Sequence, residues 1–178
     1  MRLTSNAIRP NERLVAYLTE LPATLTRFDT LPLDAFAFAC TGSSYLVGRE
    51  RESEIVSALE AEHGYPVFTA AIAIRLALQA LGVEKVAILA PYPADIVDAA
   101  RDYWSQAGFD VTAVRSIDIG SSDTRAIYDL KSSDALGALE SLLGEPAGGG
   151  AEAFLFTGTG MPTAAILSAP IPVLANTP

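Results

Sequence analysis

The chain is poor in side chains that bind metals or form disulfides, with one cysteine and one histidine among its 178 residues. A single cysteine cannot form an internal disulfide, which fits a reducing, cytoplasmic location. One cysteine and one histidine also cannot supply the Cys/His ligand set of zinc, so no metal site is predicted. The sequence contains neither a phosphate-loop lysine pattern nor a correctly spaced dinucleotide fingerprint. We therefore expect no nucleotide cofactor.

Positive charge is scarce as well: 12 Lys and Arg residues stand against 21 Asp and Glu residues, for a net charge of −9. An acidic surface argues against nucleic acid or an anionic membrane as a partner. A small anionic substrate stays compatible with it, because a few local donors can outweigh a screened global field. The apolar stretch 68–81 is interrupted by Arg75 and is too short to span a bilayer. Residues 1–13 lack the apolar core of a signal peptide, so a soluble protein is expected.

Strand-like and helix-like segments alternate along the chain, and half of its residues are hydrophobic (50%). The predicted strands cover residues 34–40, 65–69, 85–90, 110–115, 153–157 and 171–175. The predicted helices cover residues 11–21, 50–62, 70–81, 95–107, 134–143 and 162–168, the first of them capped by Asn11. Such alternation implies right-handed crossovers and a mainly parallel sheet, so the sequence predicts an α/β fold.

A weak internal repeat divides the chain. Residues 35–42 match residues 153–160, with Ala, Phe, Phe, Thr and Gly recurring in register. Each copy is followed by a predicted helix and then by a Pro-Val strand. The repeat predicts two pseudo-symmetric lobes that face each other across a cleft. The first lobe would hold residues 1–68 and 171–178, and the second would hold residues 69–170. The alternative is a chance similarity between two strands rich in alanine and phenylalanine.

The single cysteine, Cys40, lies at the end of the first repeated strand. Ligands of open α/β sheets bind at the carboxyl ends of the strands. Donors from Thr41, Gly42 and Ser43 would favour the thiolate there and could stabilise an enolate-like charge on a substrate. A thiolate can move a proton next to a carboxylate or add to an activated alkene. The alternative is a cysteine that acts as a small buried hydrophobe.

The second repeated loop offers a matching set of backbone donors. It contains Gly158, Thr159 and Gly160, and loops of this composition can bind anions through their N–H groups. Two such loops, one on each lobe, suit a substrate with one or two carboxylates. The lone histidine, His63, closes a predicted helix, and we interpret it as a helix-end residue rather than as a catalytic base.

Four segments together resemble the aspartate/glutamate racemase superfamily, in the branch of maleate cis-trans isomerases and arylmalonate decarboxylases. The segments are Cys40-Thr41-Gly42-Ser43-Ser44-Tyr45-Leu46-Val47-Gly48, Ala90-Pro91-Tyr92-Pro93, Thr157-Gly158-Thr159-Gly160-Met161-Pro162 and Ile171-Pro172-Val173. The resemblance implies two Rossmann-like (flavodoxin-like) lobes with the site in the cleft between them, and catalysis without a cofactor.

The resemblance also implies roles for individual residues. Cys40 matches the cysteine of the first lobe, whereas the position of the second cysteine is Gly158, which puts two-base racemisation in doubt. Tyr92 would donate to a substrate carboxylate, its alternative being an aromatic ring packed at the lobe interface. Thr159 and Gly160 match the second oxyanion loop. Asp123 falls near a position where relatives carry an asparagine, and a carboxylate there would repel the substrate.

Three functions follow as expectations. The first is isomerisation of a small dicarboxylate, as in maleate isomerases, through Cys40 alone. The second is decarboxylation of an arylmalonate with Cys40 as the proton donor. The third is a non-catalytic relative that binds carboxylates, and a homo-oligomer is left open. The resemblance further implies that the chain starts after the first strand of its relatives and stops before their closing helix, and a true loss would be expected to remove one wall of the pocket.

Overall fold

The protein is an α/β structure with two separate parallel sheets, as seen in a computed structural model that describes residues 9–146, 150–163 and 166. Strands β1 (Phe36–Phe38) and β2 (Val67–Thr69) pair in the first sheet. In the second sheet, β3 (Lys85–Ala90) lies between β4 (Asp110–Ser116) and β5 (Ala153–Phe156). All three pairings are parallel, so the predicted fold class is confirmed.

Seven α-helices connect and cover these strands in the described part of the chain. They are α1 (Pro10–Thr19), α2 (Leu21–Leu25), α3 (Thr41–Val47), α4 (Arg49–His63), α5 (Ala70–Ala80), α6 (Ala94–Gln106) and α7 (Ser132–Leu143). Two short 3-10 helices span Thr26–Phe28 and Thr124–Asp129. The strand predicted at 171–175 and most of the helix predicted at 162–168 lie outside the described residues. The lobe boundaries stay a prediction.

Burial explains the apolar sequence of the central strand, β3. Residues 86–90 of β3 are completely buried, because strands lie on both edges of β3 and helices pack against the sheet. Strands in this position are apolar along their whole length rather than alternating. On α6, Trp104 is also fully buried, and its indole N–H donates to the hydroxyl of Tyr45 at 3.1 Å. This contact joins α6 to α3, the helix that follows Cys40.

Two sequence predictions about helix ends are wrong. Asn11 does not cap the first helix: the helix begins at Pro10, and Arg9 occupies the N-cap position. Proline suits the first helical position because its φ is already helical and it has no N–H to satisfy. The first helix also ends at Thr19 rather than at residue 21, the end predicted from the position of Pro22. Pro22 lies in the first turn of α2, after a break at Glu20.

The largest difference concerns the segment after Cys40, which the sequence predicted as a loop. Residues 41–47 form helix α3, and its first five residues are buried. Glycine and serine lower helix propensity, but packing against α1 and α6 compensates here. The thiol therefore lies at a strand-to-helix junction, directly before the first residue of α3.

Candidate active site

Cys40 occupies the junction between β1 and α3. It is the N-cap residue of α3, its backbone is extended (φ −152°, ψ 99°), and its side chain is half-buried. Ser43 lies one helical turn further on and is completely buried. Its hydroxyl donates a hydrogen bond to the Cys40 sulfur at 3.2 Å. The Ser43 hydroxyl therefore orients the sulfur and supplies a donor to it.

The loops that follow β1 and β5 meet beside this thiol. The Gly158 N–H donates to the Thr41 hydroxyl at 3.4 Å, and the Thr159 hydroxyl donates to the Ala39 carbonyl at 3.2 Å. Thr41 is buried and also shares a hydrogen bond of 3.2 Å with the Tyr92 hydroxyl, from the loop after β3. Three strand-end segments from two sheets therefore converge on one point.

Tyr92 is held as a neutral phenol. Burial raises its pKa above the ordinary tyrosine range, with a further contribution from the nearby Cys40. Its ring packs over Gly42, where an added Cβ would lie 3.5 Å from the ring. A neutral phenol at this place can donate one hydrogen bond to a ligand or to Thr41. Burial raises the pKa of the adjacent Tyr45 in the same way.

Gly158 has no room for a side chain. Its φ is +89°, and an added Cβ would lie 2.4 Å from Cδ1 of Ile127 and 2.9 Å from Cγ of Pro91. Gly160 is similarly confined, with Ile127 Cγ2 and Tyr128 Cε1 both 2.8 Å from its added Cβ. The second loop is thus packed for glycine, and Cys40 is the single cysteine of the sequence.

A cavity of about 710 Å³ opens in front of Cys40. Much of its wall is apolar and aromatic, and two of its rings, Phe28 and Phe36, meet edge to face with centroids 5.9 Å apart. The other apolar or aromatic lining residues are Leu14, Tyr17, Leu33, Ala35, Ala37, Phe38, Ala39, Tyr92, Ile127 and Tyr128. A cavity of this size and composition is typical of small-molecule sites.

The predicted site residues divide into two groups. Cys40, Tyr92, Thr159 and Gly160 line the cavity. The remaining predicted residues contact this first group without lining the cavity. They are Thr41, Gly42, Ser43 and Gly158. His63 ends α4, stacks on Tyr65 and does not line the cavity.

Sequence reasoning missed two cationic residues, Arg13 and Arg125, that also line the cavity. Both pair with Asp123: Arg13 Nη2 lies 2.7 Å from Oδ1, and Arg125 Nε lies 2.9 Å from Oδ2. Hydrogen bonds from Arg125, with the charge of Arg13, hold the pKa of the Asp123 carboxyl well below its usual range. Asp123 therefore stays ionised, but the two arginines compensate its charge, so we do not expect it to repel an anionic substrate. Its partner Arg13 is 110 positions away, and no local pattern could reveal that.

Other classes of site find no support in residues 9–146, 150–163 and 166. No group of three or more His, Cys, Asp or Glu side chains there is arranged to hold a metal ion. Within the same residues, no helix has the length and apolarity needed to cross a membrane.

Two parallel sheets whose strand-end loops converge on a half-buried thiol define an α/β protein with its site in the cleft between the sheets. The chain belongs to the arylmalonate decarboxylase family, whose sequence model matches residues 19–171. No curated protein sequence matches the chain significantly.

Solved structures share the fold. An arylmalonate decarboxylase structure has a TM-score of 0.71 at 19% identity, covering 83% of this chain and 63% of that protein. Maleate isomerase Iso from Pseudomonas putida S16, a variant bound to maleate, has a TM-score of 0.78 at 19% identity, covering 94% and 66%. A Nocardia farcinica maleate cis-trans isomerase variant with a covalent succinylcysteine intermediate has a TM-score of 0.78 at 20% identity, covering 92% and 66%. The chain thus spans about two thirds of each of these proteins.

Proposed function

We propose that the protein isomerises a small unsaturated dicarboxylate without a cofactor, with Cys40 as its only thiol nucleophile. The observation that carries the proposal is the hydrogen bond from the buried Ser43 hydroxyl to the Cys40 sulfur. It places a buried hydroxyl donor at the sulfur, and the thiolate is the form of a cysteine that attacks carbon. The solved maleate isomerase variants, one with bound maleate and one with a covalent succinylcysteine intermediate, support this choice of chemistry.

The reaction needs one nucleophile and no net proton. The Cys40 thiolate adds to one alkene carbon, and the π electrons move into the carboxylate on the other carbon to give an enediolate. The former double bond is now single and rotates. The enediolate then expels the thiolate and restores the alkene in the trans geometry. One thiol is sufficient for this route, which agrees with the lack of space for a side chain at Gly158.

Groups around the cavity would stabilise the enediolate. The neutral hydroxyl of Tyr92 and the hydroxyl of Thr159 both belong to residues that line the cavity with Cys40. Donors placed where charge develops lower the barrier more than donors that bind substrate and transition state equally. Thr41 would position the Tyr92 hydroxyl through their shared hydrogen bond, and Ser43 would position the Cys40 sulfur.

The second candidate is decarboxylation of an arylmalonate, favoured by the aromatic wall of the cavity. Phe28, Phe36 and Tyr128 would contact an aryl ring there, and maleate has no apolar group to occupy this wall. In this reaction the bond to one carboxylate breaks, carbon dioxide leaves, and its electron pair forms an enolate. The Cys40 thiol would then protonate the α carbon. The two reactions require opposite protonation states of the same sulfur before catalysis.

One proton-NMR experiment in deuterated buffer separates the candidates. Incubation with maleate is expected to give fumarate that carries no deuterium, because the addition and elimination steps exchange no carbon-bound proton. Incubation with phenylmalonate would instead give phenylacetate deuterated at its α carbon if the second candidate is right. Thermal shifts with both acids but no turnover would indicate the non-catalytic alternative.

The matched variant is Cys40→Ser. The side chain is half-buried and the change is nearly isosteric, so the melting temperature should stay within a few degrees. Turnover should fall below detection because a serine hydroxyl is a far weaker nucleophile at neutral pH. Wild-type activity in this variant would refute both enzymatic candidates.

A further inference from the structure

The charged residues on the cavity wall are positive, although the chain as a whole is negative. The protein carries a net charge of −9, yet the charged residues that line the cavity in the described part are two arginines, Arg13 and Arg125. Asp123, which pairs with both, is not part of the lining. Two positive charges against one carboxylate leave this wall with one net positive charge. In an acidic protein, such a wall favours anionic ligands.

Two elements of the fold position the cluster of Arg13, Asp123 and Arg125: helix α1 and the 3-10 helix Thr124–Asp129. Arg13 projects from α1 with only 10% of its side chain exposed, so its charge needs a fixed partner. Asp123 caps the 3-10 helix Thr124–Asp129, and its carboxylate accepts the Arg125 backbone N–H at 3.0 Å. The Arg125 side chain also bonds this carboxylate but is 63% exposed. The buried arginine and the exposed one are thus fixed beside each other by one anion.

We propose that Arg13 and Arg125 bind a second carboxylate of the substrate and so select dicarboxylates over monocarboxylates. The inference rests on the proposed function in so far as the first carboxylate lies near Cys40, in the same cavity. Arginine suits this role because its planar set of N–H donors matches a carboxylate and stays charged at every physiological pH. Asp123 fixes the two guanidinium groups, and both arginines line the cavity whereas Asp123 does not.

The test compares binding of two unreactive acids, succinate and propionate, by isothermal titration calorimetry on the full chain. Wild type should bind succinate at least tenfold more tightly than propionate. Arg125→Gln should reduce that preference about tenfold, the usual effect of losing one hydrogen bond to a charged group. Arg51→Gln is the matched control: it removes the same charge from an exposed pair on α4 and should leave the preference unchanged.

The outcomes separate this inference from the proposed function. A preference for succinate that Arg125→Gln weakens supports the inference even if maleate is not turned over. Equal binding of the two acids by wild type would overturn it, whether or not maleate is isomerised. A lower melting temperature of Arg125→Gln with an unchanged preference would also overturn it, since the cluster would then be a purely structural contact between α1 and the 3-10 helix.

Discussion

Replacing Gly158 by alanine is expected to destabilise the folded protein by about 3 kcal/mol, from backbone strain and overpacking together. The backbone term arises because φ is +89°, where an L side chain is strained. The packing term arises because the new Cβ would lie 2.9 Å from the Pro91 ring and 2.4 Å from Ile127 Cδ1. A proline ring cannot rotate away, whereas the isoleucine methyl can partly move.

Two other glycines separate these contributions. Gly64 also has a positive φ (+75°), but nothing lies within 4 Å of its added Cβ, so Gly64→Ala should cost only the backbone term, about 1 kcal/mol. Gly137 lies inside helix α7 with open space around its added Cβ. Gly137→Ala should stabilise the protein by up to about 1 kcal/mol, because alanine is the better helix former.

Thermal unfolding followed by circular dichroism measures the series. For a chain of this length, about 3 kcal/mol corresponds to a fall of roughly 10 °C in melting temperature. In an Ile127→Val background, which lacks Cδ1, Gly158→Ala should cost less than it does in wild type. If Gly158→Ala costs no more than Gly64→Ala, the tight packing is refuted, and with it the argument that a second catalytic cysteine has no room here.

Three further predictions concern the buried hydroxyl groups. Ser43→Ala should slow alkylation of Cys40 by iodoacetamide about fivefold at pH 7, because the thiolate loses a donated hydrogen bond of ordinary strength; an unchanged rate would contradict the assigned role of Ser43. Tyr103→Phe should lower stability in urea unfolding more than Tyr92→Phe does, because it leaves the fully buried Glu52 carboxylate without its 2.5 Å donor. Burial raises the pKa of three tyrosines above their unfolded value near 10, so their stabilising effect is complete below pH 10 and lost as the pH rises further. They are Tyr45, Tyr92 and Tyr103. In a variant whose other three tyrosines, Tyr17, Tyr65 and Tyr128, are replaced by phenylalanine, absorbance at 295 nm should report ionisation only together with unfolding, and ionisation of that folded variant near pH 10 would contradict the burial argument.

The sequence predicted the sheets well because their strands carry a signal that burial imposes locally. Residues 85–90 were predicted as a strand with the bounds that β3 has, since a strand buried on both faces must be apolar throughout. Cys40 and Thr159 were placed in one site because strand ends and a repeated loop are visible in the sequence. These features depend on neighbours in the chain, which a single sequence contains.

The features that the sequence did not reveal depend on distant contacts. Helix α3 forms from Thr41-Gly42-Ser43-Ser44, a run with low helix propensity, because α1 and α6 pack against it. Asp123 looked repulsive because its two arginines could not be paired with it by spacing alone. The confinement of Gly158 depends on Pro91 and Ile127, which other loops supply.

The two hydrogen bonds that join the strand-end loops have a consequence for ligand exchange. The bonds from Gly158 to Thr41 and from Thr159 to Ala39 link the first sheet to the second beside the thiol. Swinging the sheets apart like a hinge would break both, along with the contact between Thr41 and Tyr92. We therefore expect the end of the cleft beside Cys40 to stay closed while ligands enter and leave. Substrate and product would pass along the aromatic side of the cavity, so the rings there would control the rate of exchange as well as the choice of ligand.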